Sequence, residues 1–192
     1  CLVLGDNIFN GHGFSKLLAQ SVANVQDLNM ATVFGYYVSD PERYGVVEFD
    51  DNGKALSIEE KPQNPKSNYA VIGLYIFDEK VFDYLEYLNP SKRGELEIID
   101  LLQMYLNDEK LSLEIIRRGS VWFDAGTPDS LLRASVFVET FEKQSGVMLG
   151  CIEEAALTLD FLTVKKLEKS IKNIPESTYK EYLKKLILGM VS

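Results

Sequence analysis

The chain reads as a mixed α/β domain over residues 1–145 followed by a small helical tail over residues 146–192. Three observations predict this. An apolar run, Cys1 to Leu4, ends in Gly5-Asp6-Asn7 and leads into residues at helical spacing. Two alternating runs flank Asp51-Asn52-Gly53-Lys54, and Asn-Gly between such runs is the strongest short-range hairpin signal. From Cys151 onward the strand-like patterns stop and only helical spacing remains.

The elements follow in order. Cys1 to Asp6 is expected to be a buried strand that presents Asp6 at its C-terminal tip, as open α/β sheets present ligand groups. Asn7 to Gly13 reads as a loop, and Phe14, Leu17, Leu18, Val22 and Val25 mark the helix after it. Met30 to Val38 is rich in β-branched and aromatic residues and suits a central strand. Asp40-Pro41-Glu42-Arg43-Tyr44 reads as a turn, with Asp accepting backbone N–H groups and Pro setting φ. Gly45–Asp50 and Ala55–Lys61 form the hairpin, Pro62 and Pro65 end it, and Tyr69–Phe77 is a further buried strand. Helices are expected over Glu79–Leu88 and Glu95–Leu106, and a strand over Leu111–Arg117. Thr127-Pro128-Asp129-Ser130 is a helix start with Thr at the cap, Pro at the first position and an acid in the first turn, and this helix runs to about Lys143. In the tail, Leu162 to Lys169 and Tyr179 to Ile187 suggest two short amphipathic helices.

Composition narrows the function. With 46% hydrophobic and 26% charged residues the chain is an ordinary globular protein. A net charge of -9 argues against nucleic acid or an anionic membrane as the main partner. No apolar run is long enough to span a bilayer. Two cysteines, Cys1 and Cys151, make neither a disulfide framework nor a metal spacing, which points to the reducing cytoplasm. His12 is the only histidine, so no His-based triad or zinc site is expected, and Gly-rich phosphate loops are absent.

Two carboxylates stand out by context. Asp6 ends the first strand, and Asp124 sits between a strand and a helix start in Val121-Trp122-Phe123-Asp124-Ala125-Gly126-Thr127. Such a pair can hold one hard cation and leave positions for substrate phosphates. Equally, each can serve as a turn or helix cap. In Glu59-Glu60-Lys61-Pro62 at most one of the two glutamates can face a pocket, because strand side chains alternate. Lys61 at the strand tip suits a phosphate as a point charge, or the whole group is a solvated hairpin edge. Arg93, ahead of a helix start, suits an anion, and the glutamates after it offset the helix dipole. Taken alone, Trp122 reads as a packed aromatic.

Six strings occur in an order that resembles the sugar-phosphate nucleotidyltransferases, most closely their thymidylyltransferase branch. They are Leu4-Gly5-Asp6-Asn7, Asp40-Pro41-Glu42-Arg43-Tyr44-Gly45-Val46, Glu59-Glu60-Lys61-Pro62, Tyr69 to Tyr75, Arg93 to Asp100 and Trp122 to Thr127. The resemblance covers essentially the whole chain. It implies a mixed, mainly parallel nucleotide-diphospho-sugar-transferase-like sheet. It also implies attack of glucose 1-phosphate on the α-phosphorus of dTTP, giving dTDP-glucose and pyrophosphate for deoxysugar and polysaccharide precursors. Asp6 and Asp124 would hold Mg2+, and Lys61 and Arg93 would contact the sugar phosphate. Glu60 would bind glucose hydroxyls, and Tyr44, Gly45, Val71, Gly73, Tyr75 and Trp122 would line the pocket. A nucleophilic side chain is not required, because nucleotidyl transfer needs positioning and charge neutralisation.

The family's Gly-rich loop, which cradles the triphosphate after its first strand, is not in this sequence, nor are the residues that read the base. The chain is therefore expected to be the C-terminal part of a larger enzyme and to lack transferase activity by itself. Two other readings stay open: a related enzyme using another nucleotide or sugar 1-phosphate, and a non-catalytic remnant. The helical tail and the lack of hexapeptide repeats favour the thymidylyl branch. In that family the tail contributes to subunit contacts and to a feedback nucleotide site, which implies a homo-oligomer, a tetramer when intact. Tyr179, Tyr182, Leu183 and Ile187 are either interface residues or packed on their own domain.

Overall fold

In the computed structural model the described residues are 1–91 and 94–189. The chain divides into two compact units, Cys1–Thr127 and Pro128–Ser192.

The first unit contains β1 (Leu2–Val3), β2 (Asn7–Gly11), α1 (Phe14–Leu28), β3 (Ala31–Tyr37), β4 (Gly45–Phe49), β5 (Ala55–Glu60), β6 (Tyr69–Ile76), α2 (Lys80–Leu85), α3 (Ile98–Asn107), β7 (Leu111–Ile115) and β8 (Ser120–Asp124). One sheet runs β5-β4-β6-β3-β7, with β1 also paired to β6, and β2 and β8 form a separate two-stranded ribbon. The expected mixed α/β class holds, but the expected majority of parallel pairs does not. Among the described residues only β3–β7 is parallel, and β1–β6, β2–β8, β3–β6, β4–β5 and β4–β6 are antiparallel. Parallel neighbours need a long crossover, and β3 reaches β7 only through the intervening hairpin, β6, α2 and α3.

The sheet buries both faces. Val33, Val47, Ile58, Val71 and Tyr75 pack with Ile99, Leu101, Leu102 and Tyr105 of α3. On the other face Phe34, Ile72, Leu74 and Ile76 pack with Val25, Leu17 and Leu18 of α1 and with Phe9 and Trp122 of the ribbon. The Asn-Gly hairpin forms as expected. Gly53 takes a positive φ of 81°, and the Asp50 carboxylate accepts the Asn52 and Lys54 N–H groups at 2.9 and 2.8 Å. Those bonds hold its carboxyl below the usual range, the Lys54 N–H contributing most.

Four elements differ from the sequence reading. Cys1–Asp6 is not a buried strand: only Leu2–Val3 pairs, and Leu2, Val3 and Leu4 are exposed. Asn7–Gly11, read as a loop, is a strand, because its partner β8 lies far away in sequence. α3 begins at Ile98 rather than Glu95: the Glu95 carbonyl accepts Ser91 N–H and Gly94 N–H donates to Ser91 O, both at 2.8 Å, in place of helical bonds. α2 ends at Leu85 because its last turn tightens, with Glu86, Tyr87 and Leu88 each donating to the carbonyl three residues back.

The second unit contains α4 (Pro128–Ser145), α5 (Ile152–Thr158), α6 (Val164–Ser170) and α7 (Thr178–Ile187). α4 starts at Pro128, the expected first position. The tail has one helix more than expected, α5, whose Ile152 is exposed and leaves little apolar stripe to read. Ser177 and Thr163 cap α7 and α6 by accepting the Lys180 and Lys166 N–H groups. Tyr182 and Leu183 are buried with Cys151, Leu167 and Ile171, and Tyr179 and Ile187 pack against them. All four residues therefore pack within their own unit. Both cysteines are free. Among the described residues no helix is long and apolar enough to cross a membrane.

Leu102 is fully buried against the sheet. Leu102→Ala is expected to cost about 2–5 kcal/mol through lost burial and the cavity left behind, read as a lower urea midpoint with an unchanged m-value. Leu56→Ala, at a site 52% exposed, should leave the midpoint nearly unmoved.

Candidate active site

The β2–β8 ribbon places Asn7 opposite Asp124 and Phe9 opposite Trp122. The chain enters β2 through a turn at Gly5-Asp6, where Asn7 N–H donates to Leu4 O at 3.1 Å. On leaving β8, Ala125 N–H donates to Asp6 O at 2.7 Å, which ties the two carboxylate-bearing corners together. Gly126 lies between them: a side chain there would begin 3.1 Å from both Asp124 Oδ1 and Asp6 Oδ2. The two aspartates thus flank one space. Each has one oxygen engaged, Asp124 Oδ1 by Gly126 N–H at 3.1 Å and Asp6 Oδ1 by Asn7 Nδ2–H at 2.9 Å. Among the described residues no group of three or more His, Cys, Asp or Glu side chains could hold a metal. A carboxylate pair is the donor set for a hard cation that keeps most of its waters.

Beside the carboxylates is an aromatic group. The Trp122 ring meets Tyr44 edge-on at 5.2 Å and Tyr36 at 5.7 Å. Tyr44 joins this group to the C-terminal tip of β5, because Lys61 N–H donates to Tyr44 O at 3.0 Å. Gly45 pairs with Glu60, and a side chain at Gly45 would meet Ile99 Cδ1 at 2.8 Å and Glu60 Oε2 at 3.3 Å. A larger residue there would have to push the end of the Ile99 side chain aside. Lys61 has a left-handed φ of 43°, which costs a side-chain-bearing residue roughly 1 kcal/mol, and its Nζ lies 3.3 Å from Glu60 Oε1. As the alternation requires, Glu59 points elsewhere, to a surface recess shared with Glu48, Ser57 and Lys66.

Tyr75 is buried next to this tip. Burial pushes its hydroxyl up to about 12, and the negative charge of Glu60 pushes in the same direction. Val71 is buried in the core on the α3 side of the sheet. Gly73 sits where the β3–β6 register shifts, so its backbone is released to other partners. Its carbonyl accepts Leu4 N–H at 2.9 Å and its N–H donates to Asn7 Oδ1 at 3.1 Å. Arg93 lies outside the described residues.

Two residues were not singled out by sequence reasoning. Arg43 bonds Asp40 at 2.8 Å and lies 5.3 Å over the Tyr44 ring. Its pKa is raised first by the Asp40 bond, then by Tyr44, with a smaller contribution from Asp124, so a cation stands in the field of that carboxylate. The other is Asn7, the amide that touches Asp6, Gly73 and Trp122. Its only sequence signal was its place next to Asp6.

The chain belongs to the nucleotidyl transferase family, matching it over residues 1–140. It is 50% identical over 187 residues to a glucose-1-phosphate thymidylyltransferase of Neisseria gonorrhoeae, which covers 97% of this chain and 64% of that protein. The corresponding protein of Mycolicibacterium smegmatis is 46% identical over 186 residues, 97% of this chain and 63% of its own length. Among solved structures, UDP-glucose pyrophosphorylase complexed with UDP-glucose superposes with a TM-score of 0.62 at 25% identity, over 72% of this chain and 55% of that one. The chain thus spans slightly under two thirds of the length of these curated relatives.

The raised Tyr75 pKa has a signed consequence. In the unfolded chain the hydroxyl ionises near its ordinary value of about 10, whereas in the folded chain it stays protonated to about 12. Its contribution to stability is therefore complete below pH 10 and lost as pH rises through 12. Unfolding midpoints measured from pH 9 to 12 should fall less steeply in Tyr75→Phe than in the parent chain.

Proposed function

We propose that this chain carries the cation and sugar-phosphate side of a glucose-1-phosphate thymidylyltransferase, in which glucose 1-phosphate attacks the α-phosphorus of dTTP and pyrophosphate leaves. The observation that carries this reading is the meeting of Asp6 and Asp124 around Gly126, next to the Tyr44–Trp122 pair and the strand tip holding Glu60 and Lys61. The relatives of that name, at 50% and 46% identity, support it.

In this reading Asp6 and Asp124 hold Mg2+, which supplies charge neutralisation to the phosphates of both substrates. Lys61 and Arg93 bind the sugar phosphate. Lys61 suits this role because its backbone conformation and its Glu60 contact hold the ammonium at the strand tip. Glu60 accepts hydrogen bonds from sugar hydroxyls. Tyr44, Gly45, Gly73, Tyr75 and Trp122 shape the wall, with Val71 packed behind it in the core. The residues bind and orient, and none serves as a nucleophile, in keeping with a displacement that depends on positioning. A cytoplasmic homo-oligomer, tetrameric when the chain is joined to the rest of such an enzyme, belongs to the same reading. A uridylyl variant of it draws support from the structural likeness to UDP-glucose pyrophosphorylase.

Calorimetry with glucose 1-phosphate and Mg2+ tests the reading. The chain should bind the sugar phosphate, and Lys61→Ala should weaken it by roughly tenfold, the loss of one charge-assisted contact. Binding no tighter than that of inorganic phosphate would sink the proposal. Pyrophosphate release from dTTP and glucose 1-phosphate by this chain alone is expected to be absent, and steady turnover would overturn the assignment of only one side of the site to it.

A further inference from the structure

The Asn7 amide makes three contacts that no role assigned above uses. Oδ1 accepts Trp122 Nε1–H at 2.6 Å and Gly73 N–H at 3.1 Å, and Nδ2–H donates to Asp6 Oδ1 at 2.9 Å. Trp122 is 115 residues away in sequence and Gly73 is 66, so one small side chain ties together three separate segments. We propose that Asn7 is a positioning residue, fixing the Asp6 carboxylate and the Trp122 indole to the β6 backbone as a single unit. Its consequence for cation binding rests on the reading of Asp6 and Asp124 given above.

The chemistry needs an amide here. A carbonyl oxygen has two lone pairs, enough for the indole and the Gly73 N–H, and the NH2 group at the other end supplies the donor that a carboxylate wants. Aspartate would keep both acceptor contacts but set a second negative charge against Asp6. Leucine would leave the half-buried indole N–H without a partner. A Cβ on Gly73 would lie 2.8 Å from Asn7 Cγ and Nδ2 and 2.7 Å from Leu4 Cδ1, so the amide is packed directly on backbone.

The geometry also explains which carboxylate oxygen is available. With Oδ1 held by Asn7, Asp6 Oδ2 is the oxygen that faces Gly126 and the Asp124 carboxylate. Rotation of the Asp6 side chain would exchange the two, and the Asn7 bond resists it. Partners that orient a ligating carboxylate typically change metal affinity 10–100-fold when removed.

Trp122 is the chain's only tryptophan, so its indole N–H is a unique probe. In the 15N-labelled chain its proton should exchange slowly with solvent, at least roughly tenfold faster in Asn7→Ala, and slowly again in Asn7→Asp, which keeps the acceptor. The bridge itself is read from a double-mutant cycle. Asp6→Ala should speed indole exchange in the parent and lose that effect in the Asn7→Asp background, where no donor remains to couple the two. Indole exchange unchanged by Asn7→Ala, or an equal effect of Asp6→Ala in both backgrounds, overturns the proposal. The Asn7→Asp variant keeps the test decisive if Asn7→Ala fails to fold. Mn2+ titration followed by electron paramagnetic resonance separates the two levels. Affinity lost in Asp6→Asn and Asp124→Asn and weakened roughly tenfold in Asn7→Ala supports both. If the aspartate variants bind Mn2+ as the parent does, the cation reading fails, while the indole cycle still decides the role of Asn7.

Discussion

Asn7 and Asp124 face each other across a five-residue antiparallel ribbon, and that pairing brings together the two carboxylate corners and the Trp122 ring. The ribbon is separate from the main sheet, so its orientation must be set by other contacts. Those contacts are the Leu4 and Asn7 bonds to the Gly73 backbone and the packing of Phe9 and Trp122 on the even-numbered side chains of β6. Bringing residues near position 7 to residues near position 124 costs loop entropy that grows only slowly with length. The buried apolar layer beneath the ribbon offsets it. Each amide bond adds a net of only about 1 kcal/mol. The hydrogen bonds therefore choose the register, while hydrophobic burial supplies most of the stability.

A second constraint is the backbone at Tyr44 and Lys61. Tyr44 contributes its ring to Trp122 and its carbonyl to Lys61 N–H, so the aromatic wall and the charged strand tip move together. Both places where this arrangement brings backbone into close contact are glycines, Gly45 beneath Glu60 and Ile99, and Gly73 beneath Asn7 and Leu4. The left-handed Lys61 is the one strained residue of the tip, and the hairpin's pairing with β4 holds it there.

What the amino-acid sequence revealed, and what it hid, follows the range of the interactions involved. The Asn52-Gly53 hairpin, helix α1 and the start of α4 are specified by neighbours within a few residues, and all three form where expected. The carboxylates Asp6 and Asp124 were legible as candidates because each stands at the end of an apolar run. Their meeting was not legible, because it depends on a ribbon whose first strand, Asn7-Ile8-Phe9-Asn10-Gly11, has two apolar residues and no alternation to read. The direction of the sheet was hidden for the same reason. Local pattern identifies strands, but the choice of neighbour is made by packing, and here β6 takes antiparallel partners on both sides. The expected start of α3 at Glu95 failed because Gly94 adopts a positive φ of 79°, outside the helical region, that sequence spacing does not announce. Asn7 was invisible as a hub because each of its three partners lies in a different segment apart from its neighbour Asp6.

The charges of the site make sense only against the rest of the molecule. A chain with a net charge of -9 is a poor general host for phosphates, so in the proposed reading anion binding would rest on a few cations held at short range. Lys61 at the strand tip and Arg43 over the Tyr44 ring are such groups, each already leaning on a carboxylate, Glu60 and Asp40 respectively. Exposed pairs of this kind contribute little to stability, and their value lies in holding the cation in place without fully neutralising it. The aspartates follow the same logic with the sign reversed. Each has one oxygen engaged by a donor from the ribbon or the turn after it, which fixes the carboxylate's orientation, as the proposed hold on a hard cation would need. Phosphates arriving at such a surface would meet fixed charges and dipoles already in position, and preorganisation of this kind is what a displacement at phosphorus requires of its protein.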